Sequence, residues 1–235
     1  MNSTITTNGI EPASRSRHWH DAIASTYFPL DLSFKNAELF EGELKSWKLG
    51  DLSLSRLMSK PLNYRRLPKH LSGAQDEEYL ITVPIRSDVY FSQSGKDVTC
   101  NPGGFILERS HEPYEFAHDK ENCLWVLKVS DKVLGGRIRA PGRFCSMQFD
   151  AGNGAGGLFT DMLQHIPTRI GTLSAEARVT VGAQLIDLLV LAVQNDERTL
   201  TSGASSVRTA HLTRIEQFIR AHLHDPDLSP EHIAA

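Results

Sequence analysis

The hydrophobic positions of this chain follow two periods, and the change between them separates helical regions from a β-rich one. Near the N-terminus, Trp19, Ile23 and Tyr27 recur every four residues, which predicts a helix over residues 15–28. From about residue 38 to residue 130, short apolar and polar runs alternate between Gly and Pro residues, as is typical of β-strands. The chain then returns to the helical period.

Turn residues divide the β-rich region at short intervals. Residues 92–96 (SQSGK) predict a hairpin turn, and residues 101–104 (NPGG) predict a second tight turn. Residues 78–85 (EYLITVPI) include Pro84, which favours an edge strand or a bulge because proline donates no ladder hydrogen bond. Short strands with this punctuation predict a barrel or a sandwich rather than a parallel sheet.

Two helices are predicted after the strands. Residues 158–166 carry an apolar face and precede Pro167, which we expect to end the first helix. The Gly-rich residues 152–157 (GNGAGG) are interpreted as a flexible connection, because they lack the Lys-Ser/Thr ending of a phosphate-binding loop.

The second helix, predicted over residues 174–194, is apolar on more than one face. Its first stripe consists of Val181, Leu185, Leu188 and Ala192, and a second stripe consists of Ile186, Leu189 and Val193. Because a helix with two apolar faces must bury both, we expect the first stripe to form a homodimer interface. The alternative is a helix that is wholly enclosed within its own chain.

Composition and charge narrow the class of protein. A chain of 235 residues, 40% hydrophobic and 23% charged, has room for one good-sized domain and part of another. Its net charge of −3 disfavours a surface built mainly to hold nucleic acid. The three cysteines form no CxxC pair and predict reduced thiols. With no signal peptide or long apolar stretch, we expect a cytoplasmic protein without a membrane partner.

The histidines do not follow the spacing of a metal site in a barrel. Such a site needs imidazoles on alternate residues of one strand, since only those point the same way. His18 and His20 have that spacing but lie on the predicted helix, and His70, His111 and His118 are scattered through the strands. We expect no metal and no cofactor. Since the chain also lacks a GxSxG nucleophile motif, we expect no catalytic residue and no enzyme.

The candidate chemistry is therefore that of a small-molecule pocket. If one alternating face of the strands points inward, an apolar cavity results with Tyr79 and Arg109 as its polar groups. The candidate ligand-binding residues are Tyr79, Ile81, Val83, Phe105, Leu107, Arg109 and Trp125. In that setting Arg109 would pair with a carboxylate. The alternative is that these residues are ordinary core and that Arg109 lies at the rim beside an acidic residue.

Several segments, in this order, resemble the AraC/XylS-type transcription regulators. The chain ends in a predicted helix, DPDLS and PEHIAA (225–235), which resembles the entry to the DNA-binding domain of that family. Upstream, RHWHDAIASTYFPLDL (17–32), LGDLSLSRL (49–57) and GKDVTCNPGGFILERSHEPYEF (95–116) are similar to its cupin-like sensor domain. The resemblance implies an α+β fold in which a cupin-like β-barrel or sandwich with flanking helices precedes the start of an all-α helix-turn-helix domain.

The resemblance also implies a domain plan. We expect a flexible tail over residues 1–14, an effector-binding and dimerisation domain over 15–196, a linker over 197–208, and an incomplete DNA-binding domain over 209–235. The implied function is to bind a small organic effector and so control DNA binding by the C-terminal domain. Because residues 209–235 include neither of the two recognition helices of that family, they are not expected to bind DNA specifically. The alternative function is a cupin enzyme, with or without a metal, acting on a small polar substrate.

Overall fold

The computed structural model describes residues 3–71 and 77–195, which form two antiparallel β-sheets and four α-helices. The strands are β1 (Ser3–Thr6), β2 (Asp31–Phe34), β3 (Gly42–Leu49), β4 (Leu52–Ser59), β5 (Leu62–Arg66), β6 (Glu78–Pro84), β7 (Val89–Gln93), β8 (Lys96–Cys100), β9 (Gly104–Arg109), β10 (Tyr114–His118), β11 (Asn122–Ser130) and β12 (Gln148–Asp150). The helices are α1 (Pro12–Thr26), α2 (Asp131–Gly135), α3 (Gly154–Arg169) and α4 (Ala175–Gln194).

The strands are shared between a large and a small sheet. The large sheet has the order β1-β3-β4-β11-β6-β9-β12, and the small sheet has the order β2-β5-β10-β7-β8. Every ladder within both sheets is antiparallel. The arrangement is a cupin-like sandwich with helices, which confirms the α+β, cupin-like fold expected from the sequence.

Two hydrophobic cores lie on opposite faces of the large sheet. The inner core fills the space between the two sheets and includes Trp19 and Ile23 of α1. The outer core packs the other face of the large sheet against the C-terminal helices, with Phe159 from α3 and Leu189 from α4 fully buried. The large sheet is therefore buried on both faces. Along a central strand, successive side chains point alternately into the inner core and the outer core.

The predicted helices at both ends of the domain are present. α1 ends at Thr26, shortly before Pro29, and α4 extends over nearly the range predicted for the second C-terminal helix. Within the described residues no helix combines the length and hydropathy needed to cross a membrane. The predicted linker, 197–208, and the start of the DNA-binding domain, 209–235, lie outside the described residues.

The structure corrects two expectations about the start and the end of α3. Pro167 does not end the helix but lies inside its last turn, and the helix continues to Arg169 before a 3₁₀ turn. The glycines at 154–157 are not a flexible connection, because they form the first turn of α3. A Cβ atom at Gly156 would lie 1.8 Å from the Asp150 carbonyl oxygen, so this close approach of helix and strand requires glycine.

The expectation of an edge strand around Pro84 is also wrong. β6 lies between β11 and β9 in the middle of the large sheet, and Pro84 is its last residue. The pairing of β6 with β9 extends only from Tyr79 to Thr82, so the proline nitrogen lies beyond the end of that ladder. A central strand tolerates proline at this position because no ladder hydrogen bond is lost.

Candidate functional site

A cavity of about 40 Å³ lies between the two sheets. The large sheet contributes the inward-facing side chains Leu57, Leu80, Thr82, Glu108, Leu124 and Val126. The small sheet contributes Tyr64, Tyr114 and Phe116, and the segment at the end of α1 contributes Ile23, Tyr27 and Leu30. The walls are mainly aliphatic and aromatic, with one carboxyl group and four hydroxyl groups among them. This composition is typical of a small-molecule pocket.

Glu108 is the acidic group of the cavity. It is 3% exposed, and its Oε1 atom accepts a hydrogen bond from the Thr82 hydroxyl on the neighbouring strand. Burial raises the pKa of the Glu108 carboxyl to about 8, and the hydrogen bond from Thr82 only partly opposes this effect. At neutral pH the side chain is therefore mostly a neutral acid, which both donates and accepts hydrogen bonds.

Tyr27 closes the cavity from the end of α1. Its hydroxyl lies 2.5 Å from the Ser55 hydroxyl, and Ser55 in turn donates a hydrogen bond of 3.2 Å to the Val126 carbonyl oxygen. Because Ser55 has one hydrogen and donates it to Val126, Tyr27 must donate to Ser55. The Lys128 ammonium group also donates to the Tyr27 carbonyl oxygen at 3.4 Å. The last turn of α1 is thus tied to two strands of the large sheet.

The phenols of the small sheet lie opposite these groups. Burial raises the pKa of Tyr64 and raises that of Tyr114 well above its usual range, so both remain neutral phenols. The rings of Tyr64 and Phe116 meet edge to face, with centroids 5.8 Å apart. The Tyr64 hydroxyl is buried on the side of the cavity where Ser59 and Trp19 lie. The cavity therefore has an aromatic wall facing the Glu108 side.

The candidate ligand-binding residues expected from the sequence do not line the cavity between the sheets. Six of them belong to the outer core against the helices: Tyr79, Ile81, Val83, Phe105, Leu107 and Trp125. Their immediate neighbours in the strands, such as Leu80, Thr82 and Glu108, line the cavity instead. The physical reason is that a sheet buried on both faces has apolar residues at both sets of alternate positions, so the alternation does not show which set faces inward.

Arg109 also lies away from the cavity. Its Nη1 atom donates to the Glu112 carboxylate at 2.5 Å, and its backbone N–H donates to the side-chain oxygen of Gln93. Its guanidinium group lies beside Gly142, because a Cβ atom added to that glycine would be 3.4 Å from Nη1 of Arg109. This arrangement matches the alternative in which Arg109 pairs with an acidic neighbour, and it leaves Glu108 as the residue that sequence reasoning missed.

The proposed dimer stripe of α4 is divided between core and surface. Leu185 is fully buried in its own chain, whereas Val181, Leu188 and Ala192 are partly buried against the outer core. Leu191 on the same helix is 47% exposed. The role of this stripe in dimerisation stays a prediction.

The histidines that sequence reasoning weighed as metal ligands are dispersed. His70 lies beside Asp31 at 3.2 Å, and His118 is buried with its ring nitrogens near Ser59 and the Lys120 carbonyl oxygen. Among residues 3–71 and 77–195, no three His, Cys, Asp or Glu side chains converge as a metal site would require.

The two-sheet sandwich and the largely apolar cavity between its sheets define a cupin-like domain. Residues 19–193 match the family of AraC-binding-like domains, and the chain belongs to this family. The resemblance to AraC-type regulators drawn from the sequence is thereby confirmed.

Three individual proteins illustrate the similarity. The transcriptional activator NphR of Rhodococcus sp is 25% identical over 237 residues, covering 99% of this chain and 70% of that protein. An uncharacterised protein from the nit 5′ region of Bacillus sp. (strain OxB-1) is 21% identical over 232 residues, covering 98% of this chain and 90% of that protein. The crystal structure of the AraC-like transcriptional activator CuxR superposes with a TM-score of 0.69 at 16% identity, covering 99% of this chain and 83% of that one.

Proposed function

We propose that this chain senses a small organic effector in the cavity between its sheets and thereby controls transcription as part of an AraC-type regulator. The observation that carries the proposal is the cavity between the sheets with a buried, titratable carboxyl group, Glu108, in a domain of this family. The similarity to the activator NphR supports the regulatory role. A carboxyl group without a charged partner is costly to bury, so it is typically retained for binding rather than for stability.

The structure supports a route by which the effector alters the rest of the molecule. Ile23 lies in α1 and Tyr27 directly follows its last residue. Both line the cavity together with the inward-facing side chains of the large sheet. An effector that contacts both walls would bind more tightly to one arrangement of α1 and the sheet than to another. It would then shift the balance between the two arrangements by that difference in affinity.

The partners of this sensor are further proposals. DNA binding is assigned to the C-terminal region, which includes residues 209–235, as in the regulators that the chain resembles. We assign homodimerisation to the partly buried side of α4 at Val181, Leu188 and Ala192, with Leu185 anchoring the helix to its own chain. A regulator that contacts DNA acts in the cytoplasm, which is the location we propose.

Thermal unfolding against a panel of small metabolites tests the proposed function. A ligand at about a hundred times its dissociation constant stabilises the fold by roughly 2.7 kcal/mol, which raises the unfolding midpoint by several degrees. The Val126→Leu variant adds a methylene group to the cavity and is expected to abolish the shift. The matched Val190→Leu variant, on α4 and outside the cavity lining, should retain it. A panel without any saturable shift would contradict the sensor function.

A further inference from the structure

Among the described residues that line the cavity, Glu108 is the one carboxylic acid, and none is Lys, Arg or His. Arg66, which pairs with the cavity residue Tyr114 in the small sheet, directs its guanidinium group elsewhere. Its Nε atom donates to the Ser110 carbonyl oxygen at 3.0 Å and its Nη1 atom to the Pro29 carbonyl oxygen at 2.6 Å. Its guanidinium group also lies over the Phe28 ring, 4.4 Å from the centroid. Within residues 3–71 and 77–195, the cavity therefore presents an acidic group without a counter-ion in its lining.

The wall opposite Glu108 is suited to positive charge as well. Tyr64, Tyr114 and Phe116 present aromatic rings from the small sheet, and the faces of such rings attract cations. A carboxylate ligand would bind unfavourably. It would lose its hydration in a site that has an acidic group and no described basic residue in its lining. The charges of the site thus select for one sign of ligand.

Building on the proposed effector site, we propose that the cavity recognises a small organic cation, a short-chain primary amine, through Glu108, and that it discriminates against carboxylates. The ammonium group lies against the Glu108 carboxylate and Thr82, and the alkyl chain contacts Leu80, Leu124 and Val126. A buried charge pair of this kind is stable only with good geometry and further hydrogen bonds. The Thr82 hydroxyl, which lies beside Glu108, provides a further hydrogen-bond acceptor for the ammonium group.

The size of the cavity limits the ligand. A volume of about 40 Å³ accommodates roughly three water molecules, by the rule that one water needs about 10–15 Å³. A cavity of this volume holds an ammonium group with a few carbon atoms. It excludes sugars and nucleotides unless α1 moves. A propyl chain is therefore a suitable frame for probes that differ only in charge.

Binding of a cation also moves a proton. Below pH 8 a primary amine arrives as the ammonium ion, and Glu108 must release its own proton to solvent before the charges pair. The other titratable groups that face Glu108 are the phenols of Tyr27, Tyr64 and Tyr114 and the Cys100 thiol, and burial keeps all of them neutral in this range. The affinity for the amine should therefore rise up to tenfold for each pH unit between 6 and 8.

The test uses the 235-residue chain and three probes of equal chain length: propylamine, 1-propanol and propionate. Binding is followed by NMR of ¹³C-labelled methyl groups, so that shifts at Leu80, Leu124 and Val126 locate each probe in the cavity. We expect propylamine to bind at least tenfold more tightly than 1-propanol and propionate to bind least. In Glu108→Gln the amine should lose this advantage, whereas Glu115→Gln, which removes an exposed carboxyl of β10, should keep it.

The outcomes separate the ligand class from the proposed function. Methyl shifts with equal affinity for amine and alcohol, or tighter binding of propionate, overturn the ligand class but retain the cavity as a binding site. Absence of shifts with all three probes also overturns the ligand class, and the metabolite panel then decides the proposed function separately. The pH dependence of propylamine binding is measured on the unmodified chain. A flat profile between pH 6 and 8 overturns the role of Glu108 even if the variant fails to fold.

Discussion

The hydroxyl groups of Tyr27 and Ser55 lie 2.5 Å apart, which joins the end of α1 to the central part of the large sheet across 28 residues of sequence. Removal of the phenol oxygen in Tyr27→Phe deletes this hydrogen bond and leaves the ring in place. We expect a loss of about 1 kcal/mol of stability. For a domain of this size, the unfolding midpoint should fall by about 2–4 °C, measured by circular dichroism.

Tyr90 provides the matched control for that substitution. It is 49% exposed on β7, so Tyr90→Phe should leave the midpoint unchanged. Equal midpoints for the two variants would mean that the contact between Tyr27 and Ser55 contributes nothing to the attachment of α1.

The stability of the domain should depend on the titration of Glu108. Its folded-state pKa, about 8, lies above its ordinary value of 4.5, so the folded state retains a proton that the unfolded state has released. This contribution to stability is complete below about pH 4.5 and is lost as the pH rises towards 8. Glu108→Gln has no proton to lose, so the variant should gain stability relative to the unmodified chain as the pH rises from 5 to 8.5.

Urea unfolding at pH 5, 7 and 8.5 measures this difference. The ceiling is about 1.4 kcal/mol for each pH unit over which the carboxyl remains protonated only in the folded state. Glu115→Gln should follow the unmodified chain at all three pH values, because Glu115 is exposed. Parallel stability curves for Glu108→Gln and the unmodified chain would show that Glu108 titrates normally.

The contact of α4 with the large sheet depends on Gly182. A Cβ atom there would lie 2.8 Å from the Leu49 carbonyl oxygen and 3.2 Å from Cδ1 of Leu52. Alanine is the better helix former by about 1 kcal/mol, but overpacking against backbone typically costs about 1–3 kcal/mol. We expect Gly182→Ala to be destabilising by roughly 1 kcal/mol in urea unfolding.

Gly171 is the matched control, because a Cβ atom at this position would have nothing within 4 Å. Gly171→Ala should therefore be neutral or slightly stabilising. A Gly182→Ala variant that is as stable as Gly171→Ala would show that α4 shifts away from the sheet without cost.

The proposed dimer predicts a different response at the partly buried side of α4. Leu188→Glu places a charge on the expected interface, and the dimer should dissociate to a monomer because an unpaired charge is costly to bury. Light scattering at tens of micromolar gives the mass. Val179→Glu adds the same charge on the opposite side of the helix, at a residue that is 55% exposed, and should remain dimeric. A monomeric mass for the unmodified chain would refute the dimer.

Most local structure could be predicted from the sequence, because its signals are local. The hairpin at residues 92–96 forms as expected: Ser94 and Gly95 have φ angles of 54° and 73°, as a two-residue hairpin turn requires. The long amphipathic period of α4 gave its extent closely. Pro167 was misjudged because the helix loses one backbone hydrogen bond at the proline but still continues to Arg169, two residues further on.

The cavity could not be predicted in the same way. Whether Ile81 or Thr82 faces the cavity depends on which side of the large sheet the small sheet covers, and this is a tertiary property. One signal in the sequence was available: Glu108 is a charged residue directly after the apolar run Phe105-Ile106-Leu107 of β9. Glu108 and Arg109 both follow this run, and Glu108 is the one of the two whose side chain lines the cavity.

The large sheet with its two cores also has a mechanical consequence. Leu107 and Glu108 are consecutive residues of β9, yet the first contacts the helical core and the second faces the cavity. A strand is only one peptide thick, so β9 cannot rotate or shift towards an occupant of the cavity without displacing the side chains on which α3 and α4 rest. The large sheet thus forms a wall that the cavity and the outer core share. A change in the volume of the cavity therefore changes the packing of the outer core.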